Sequence, residues 1–151
     1  MNSHELNREG RKQVEAELLR RGAACVTSTS RGTRKTYLLA TNPSHSRTVE
    51  LRIKTRQKGS WHTTTDEAKP TNSPPNSEDV RNYWVFVDFS GAPRYWIVPE
   101  WWIRNDIHKA HEQYLQKHDG HRPENDDSNH HSIQESRLEH WQNKWEILGI
   151  F

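Results

Sequence analysis

The sequence predicts an α/β domain with an N-terminal helix, a mixed sheet of about five strands and C-terminal helices. Three observations support this fold class. An amphipathic helical pattern opens the chain, two pairs of strand patterns are each joined by a turn signal, and a second helical pattern follows the last strand. With 151 residues the chain is long enough for one domain with a substantial core. We therefore expect residues 1–151 to form a single domain.

The first helix is predicted from a repeat of small or apolar residues at every fourth position. These residues are Leu6, Gly10, Val14 and Leu18. Gly22 follows as a stop signal, so we expect a helix over residues 6–21. Residues 23–29 (AACVTST) then predict a strand in which Cys25 is a small buried residue. A single cysteine excludes an internal disulfide and is typical of a protein from the reducing cytoplasm.

A β-hairpin is predicted from two runs of alternating apolar residues, 36–40 (TYLLA) and 48–56 (TVELRIKTR). The turn signal Asn42-Pro43-Ser44 lies between them. Side chains alternate between the two faces of a strand. Three charged side chains of the second strand therefore share one face: Glu50, Arg52 and Lys54.

The rest of the chain alternates between long polar loops and apolar elements. We expect a polar loop over about residues 57–82, in which Trp61 packs onto the core, and another over about 118–131. Between them, residues 83–89 (YWVFVDF) and 94–98 (RYWIV) predict a second hairpin, and Pro99 opens a second helix. A Trp-rich amphipathic segment at the end of the chain is expected to close the core.

The order of helix, strand, YLLA strand and VELRIKT strand resembles the core of the PD-(D/E)XK (restriction-endonuclease-like) superfamily. This resemblance implies an acid on the first hairpin strand and an acid-x-Lys motif on the second, which together hold Mg²⁺ and activate water. Lys54 matches the lysine, but Tyr37 and Arg52 stand at the two acidic positions. The resemblance therefore implies a nuclease-like fold with a degenerate active site.

The charge distribution favours a polyanionic partner at the basic end of the chain. Residues 1–60 contain 13 Lys or Arg and 5 Asp or Glu, whereas residues 61–151 contain 9 and 15. We expect a catalytically inactive module that binds nucleic acid, DNA rather than RNA, through phosphate contacts and aromatic stacking. The predicted contact residues are Arg34, Lys35, Tyr37, Arg52, Lys54, Arg56 and Trp61.

Two other functions fit the same sequence. An active nuclease with relocated carboxylates would use Glu50, Lys54 and a glutamate of the first helix, for which the resemblance implies Glu15 or Glu17. Mg²⁺ would be its cofactor, whereas the inactive module is expected to need none. Asp88 would be a further oxygen ligand. The third function is a protein-binding adaptor or inhibitor. It would use an aromatic surface or the cleft in which the resemblance implies an active site.

Neither a zinc site nor a membrane segment is predicted. The chain has ten histidines, including a His108-x-x-His111 pair on a predicted helix. Without cysteine partners or an HExxH-type signature, we expect these histidines to be solvated polar residues. No run approaches the roughly 20 apolar residues that span a bilayer, so we expect no membrane partner.

Overall fold

A computed structural model describes residues 1–31, 35–118 and 129–151 of the chain. The two α-helices are α1 (Ser3–Arg21) and α2 (Glu100–Lys117). The strands are β1 (Cys25–Arg31), β2 (Lys35–Thr41), β3 (Thr48–Arg56), β4 (Trp61–Thr64), β5 (Asn82–Asp88), β6 (Arg94–Pro99) and β7 (His130–Ile133). Short 3₁₀ turns cover Thr65–Glu67, Ser77–Asp79, Glu135–Trp141 and Trp145–Leu148.

The central sheet has five strands in the order β1-β2-β3-β5-β6. All neighbouring pairs are antiparallel except β3 and β5, which run parallel. The predicted α/β fold, with an N-terminal helix and a mixed sheet of five strands, is therefore confirmed. Both predicted hairpins, β2–β3 and β5–β6, are present.

The central strand β5 is buried along nearly its whole length, and its side chains alternate between two hydrophobic cores. The face of the sheet that α1 covers is called the α1 face. Its core includes Val14, Leu18, Leu38, Leu51, Val85, Ile97 and Trp145. The opposite face is called the α2 face, and its core includes Trp61, Trp84, Phe86, Trp96, Ile103, Ile107, Ile133 and Leu138.

Helix α1 confirms the spacing that predicted it. Its buried residues are Leu6, Gly10, Val14 and Leu18. The helix begins three residues earlier than predicted, because Asn2 and Glu5 form a capping box. It ends at Gly22, whose φ of 119° is a left-handed conformation that favours glycine.

The predicted loop over residues 57–82 was partly wrong. It contains β4, which pairs with β7 in a separate two-stranded antiparallel sheet. The predicted loop over 118–131 likewise gives way to β7 at His130, and residues 119–128 lie outside the described part of the chain. Four-residue strands are too short to be recognised from alternation alone. The prediction that Cys25 is buried was also wrong, because Cys25 is exposed at the start of β1.

Arg47, in the turn between β2 and β3, joins three distant segments of the chain. Its guanidinium donates hydrogen bonds to the carbonyl oxygens of Leu148 (2.8 Å), Glu78 (2.6 Å) and Val80 (2.7 Å). It also donates to the Tyr83 hydroxyl at 3.0 Å. A planar guanidinium has several fixed donors and can therefore satisfy carbonyls from several segments at once. One basic residue of the hairpin region thus has a structural role.

Gly10 is expected to be essential for the close approach of α1 to β3. A Cβ atom at this position would lie 2.1 Å from Cγ2 of Thr55. Rotating Thr55 away would break the hydrogen bond from its hydroxyl to Oδ1 of Asn7 (2.5 Å). Gly10→Ala should therefore lower the free energy of unfolding by about 1–2 kcal/mol, although alanine favours helix. Urea denaturation followed by circular dichroism measures this change.

The matched control is the double variant Gly10→Ala with Thr55→Ser. Serine lacks the clashing methyl group but keeps the hydroxyl that binds Asn7, so most of the lost stability should return. Equal stability of Gly10→Ala and the unaltered protein would contradict the close contact.

Candidate functional site

The sequence-predicted site residues of β2 and β3 meet on the α2 face of the central sheet. The strand register places Tyr37 opposite Arg52, and Arg52 opposite Trp84. On the other face, Gly10 of α1 contacts Ile53 and Thr55. Because neighbouring residues of a strand face opposite sides, the predicted alignment of Glu50, Arg52 and Lys54 on one face is confirmed.

Arg52 is held between a carboxylate and an indole ring. Its Nη1 lies 2.7 Å from Oε1 of Glu67, and its Cζ lies 4.6 Å from the ring centroid of Trp84. Glu67 is only 6% exposed, and its other oxygen lies 3.4 Å from Nη2 of Arg104. A buried carboxylate requires such cationic partners. Arg52 therefore stabilises the 3₁₀ turn that carries Glu67.

Lys54 lies two residues further along β3, at the border of the covered part of the sheet. Its Nζ donates a hydrogen bond to the carbonyl oxygen of His62 in β4 (3.3 Å) and lies 5.6 Å from the Trp84 ring centroid. The side chain remains partly exposed. Lys54 thus places a positive charge at the surface, beside β4.

An uncovered part of the α2 face adjoins Lys54. Within the described residues, α2 packs on β5 and β6, and β4 lies beside β3, whereas the side chains of β1 and β2 on this face stay exposed or partly exposed. We call this surface, together with Lys54, the open face. Its residues are Thr27, Thr29, Tyr37, Leu39 and Lys54. Tyr37 is the aromatic side chain that the sequence predicted for base stacking.

The carboxylates proposed for Mg²⁺ are not brought together. Glu15 belongs to α1, which packs on the α1 face, so the sheet separates it from Glu50 and Lys54. Arg52, between Glu50 and Lys54 on the strand, adds a cation where a metal site needs oxygen ligands. Across residues 1–31, 35–118 and 129–151, no group of three or more His, Cys, Asp or Glu side chains is placed to hold a metal ion. The carboxylates proposed as ligands, Glu15, Glu50 and Asp88, therefore do not form a site that fits Mg²⁺.

Two residues predicted to contact nucleic acid, Trp61 and Arg56, have buried or largely buried side chains. Trp61 is 1% exposed, its Nε1 donates to the carbonyl oxygen of Val87 (3.0 Å), and it packs edge-on against Phe86 and Trp96. No base can stack on it, whereas its predicted packing onto the core is confirmed. The Arg56 guanidinium lies 3.8 Å above the Trp61 ring, and its side chain is 9% exposed.

Arg56 belongs to an ion-pair network at the end of β3, in which the Arg56 side chain is largely buried and Asp88 is buried. Its Nε lies 2.5 Å from Oδ2 of Asp88, and its Nη2 lies 2.7 Å from Oε1 of Glu135. Arg94 contacts the same two carboxylates, at 3.3 Å and 3.0 Å. Asp88, proposed as an oxygen ligand of a metal, is instead neutralised by arginines. Arg56 and Asp88 therefore hold β3, β5 and β6 together.

The structure describes little of two other predicted contact residues, Arg34 and Lys35. Arg34 lies outside the described residues. Of Lys35 the structure describes the backbone alone, at the start of β2 opposite Arg31. The site residues that the structure brings together at the surface are therefore Tyr37 and Lys54.

Two histidines meet beside Lys54, which the sequence did not predict. The rings of His62 in β4 and His130 in β7 lie 4.5 Å apart, and both residues are exposed. Burial, together with the positive charges of His130 and Lys54, lowers the pKa of His62. Buried and more exposed residues alternate along WHTT, but four residues are too few for this pattern to identify a strand, and HHSI shows no alternation.

Three cavities lie away from the predicted site residues. Two adjoining ones, of about 210 and 220 Å³, share Pro74, Val80 and Trp101 near the start of α2. A third, of about 300 Å³, lies between α2 and β7 and is lined by His111, Tyr114 and three residues of β7. None of the three is lined by Tyr37, Arg52 or Lys54.

Comparison of the chain with protein-family models, with curated proteins and with solved structures found no match. In the part of the chain that the structure describes, no helix combines the length and apolar character needed to cross a membrane.

Asp88 predicts a specific acid sensitivity. Burial alone would raise its pKa, but hydrogen bonds from the Ser90 hydroxyl and N–H, together with Arg56, lower the pKa from 3.8 to about 2. A folded-state pKa below the unfolded value stabilises the fold above pH 4, and this stabilisation is lost as the pH falls through 2. The loss should be about 2 kcal/mol, measured by urea denaturation at pH 5 to 2.

Asp88→Asn should lack this pH-dependent part of the free energy of unfolding. It should be less stable than the unaltered protein at pH 7, and the difference in the free energy of unfolding between the two should become smaller at low pH. Asp79→Asn, at an exposed carboxylate, is the matched control and should retain the original pH dependence. An unchanged acid dependence in Asp88→Asn would show that Asp88 is not the responsible group.

Proposed function

We propose that this protein is a nucleic-acid-binding module with a nuclease-like core that has lost its metal site. One observation carries the proposal. At the position where the resemblance implies the second metal-binding acid, Arg52 is engaged by Glu67, while the matching lysine, Lys54, borders an open strand surface. A site that once attracted a cation would thus present positive charge to an anion.

The open face has the chemistry for sequence-independent binding. Lys54 supplies a charge for a backbone phosphate, and such contacts give affinity without reading bases. Tyr37 is partly exposed on the same face and offers a ring on which a base can stack. On β1, Thr29 lies opposite Tyr37 and Thr27 lies opposite Leu39, and both supply hydroxyl groups on this face. The occupant that fits is a single strand laid across β1, β2 and β3.

Two features of the structure speak against the active nuclease as the leading function. Glu15 and Glu50 are on opposite sides of the sheet, and Asp88 is bound by arginines. An oxygen-ligand set for Mg²⁺ would have to be built from other carboxylates. Whether nucleic-acid binding persists after the metal ion is removed therefore distinguishes the two functions.

The proposal predicts that the purified protein retards labelled nucleic acid without cutting it. Single-stranded, double-stranded and branched DNA, and RNA, would be incubated in Mg²⁺ or Mn²⁺ and then in EDTA. Retardation should be insensitive to EDTA, and affinity should fall steeply as salt rises. Lys54→Ala should weaken binding roughly three- to tenfold and lower the salt dependence by about one phosphate contact. Tyr37→Ala should weaken binding of single strands more than of duplexes.

Lys12→Ala is the matched control, because Lys12 is an exposed lysine of α1 on the other side of the sheet. Its affinity should equal that of the unaltered protein. Metal-dependent cleavage that Glu50→Gln and Lys54→Ala both abolish would overturn the proposal in favour of an enzyme with relocated carboxylates. If nothing is bound or cut, the adaptor role becomes the leading function.

A further inference from the structure

The outward face of the small β4–β7 sheet carries a pair of histidines in contact. The register pairs His62 with Ser132 and Thr64 with His130, so these four side chains share one face. The rings of His62 and His130 lie 4.5 Å apart at 38°. Trp61 and Ile133, which pair across the same two strands, point to the other side, into the core of the α2 face. The pair is therefore held on a rigid support.

This histidine pair is continuous with the open face. Lys54 donates a hydrogen bond to the main-chain oxygen of His62, so the positive end of the lysine lies next to β4. From Tyr37 on β2, the surface runs through Lys54 on β3 to His62 on β4 and His130 on β7. A strand bound across the open face would meet the histidines next.

Among residues 1–31, 35–118 and 129–151, few charged or titratable groups surround the pair. From β3 the neighbour is Lys54, and the cavity beside His130 is lined by His111 and Tyr114 of α2 and by His131. Asp66, in the 3₁₀ turn after β4, binds the side-chain amide of Asn129 at 3.0 Å. Basic and neutral groups thus outnumber carboxylates near the two rings among the described residues.

We propose that the nucleic-acid surface extends from Lys54 across His62 and His130, where backbone phosphates bind with uptake of protons. This inference rests on the proposed function and deepens it, because it names a second part of the interface and a dependence on pH.

The physical reason is that each positive charge makes the next protonation less favourable. In the unbound protein, His130 and Lys54 disfavour the charged form of His62, in agreement with the direction of its pKa. A phosphodiester keeps its negative charge throughout the neutral and mildly acidic range, so a bound strand favours the charged imidazoles. Because binding and protonation are linked, affinity must rise as the pH falls toward the histidine pKa.

The test is the dissociation constant of a single-stranded DNA oligonucleotide, measured by anisotropy with a pH-insensitive dye at constant ionic strength from pH 8.0 to 5.5. The dissociation constant should fall roughly five- to tenfold over this range. The double variant His62→Gln with His130→Gln should lose most of this tightening. His4→Gln, at an exposed histidine of α1, is the matched control and should keep it.

Nuclear magnetic resonance of the imidazole protons gives a second readout that a purely structural role would not move. The pKa of His62 should rise when the oligonucleotide is added. One outcome would overturn this inference and leave the proposed function intact. In that outcome, binding depends on Lys54, but the double variant and the unaltered protein show the same pH dependence of the dissociation constant. Absence of binding at every pH would overturn both.

Discussion

The structure depends on β5 being buried on both faces. Its residues, from Tyr83 to Asp88, alternate between two cores, so the sheet requires a covering layer on each side. Helix α1 and the last turn, Trp145–Leu148, provide one layer, and α2, the β4–β7 pair and the turn Glu135–Trp141 provide the other. The parallel pairing of β3 with β5 has a further consequence, since parallel neighbours need a long connection. That connection is the segment containing β4.

Coverage of the α2 face is incomplete, and this decides what each charged residue of β3 does. At the end of the strand Arg56 lies over the Trp61 ring and pairs with Asp88 and Glu135. Arg52 is engaged by the buried Glu67. Lys54 lies at the border, where β4 passes and the exposed strands begin. Three cations on one face of one strand therefore have three different environments, because the covering elements cross the strand unevenly.

Counting basic residues overstates the positive charge that a partner would meet. Arg47, Arg52 and Arg56 are each used inside the protein, as a connector of carbonyls or as partners of carboxylates. A guanidinium suits such positions because it is weakly hydrated and offers several donors in a plane. Acidic residues of the second half of the chain, Glu67, Asp88 and Glu135, supply their partners. The charge imbalance between the halves is partly cancelled by folding.

The sequence by itself determined the fold class, the two hairpins, both helices and the shared face of Glu50, Arg52 and Lys54, because periodicity is a local property of the chain. Only the tertiary structure decided between the two roles predicted for Trp61, in the core or against a base. It also decided that Glu15 lies across the sheet from Lys54 and that β4 pairs with β7. These facts depend on contacts between distant segments, such as Trp61 with Ile133 across the small sheet. No local pattern encodes which segments meet, since that choice follows from burying both faces of β5.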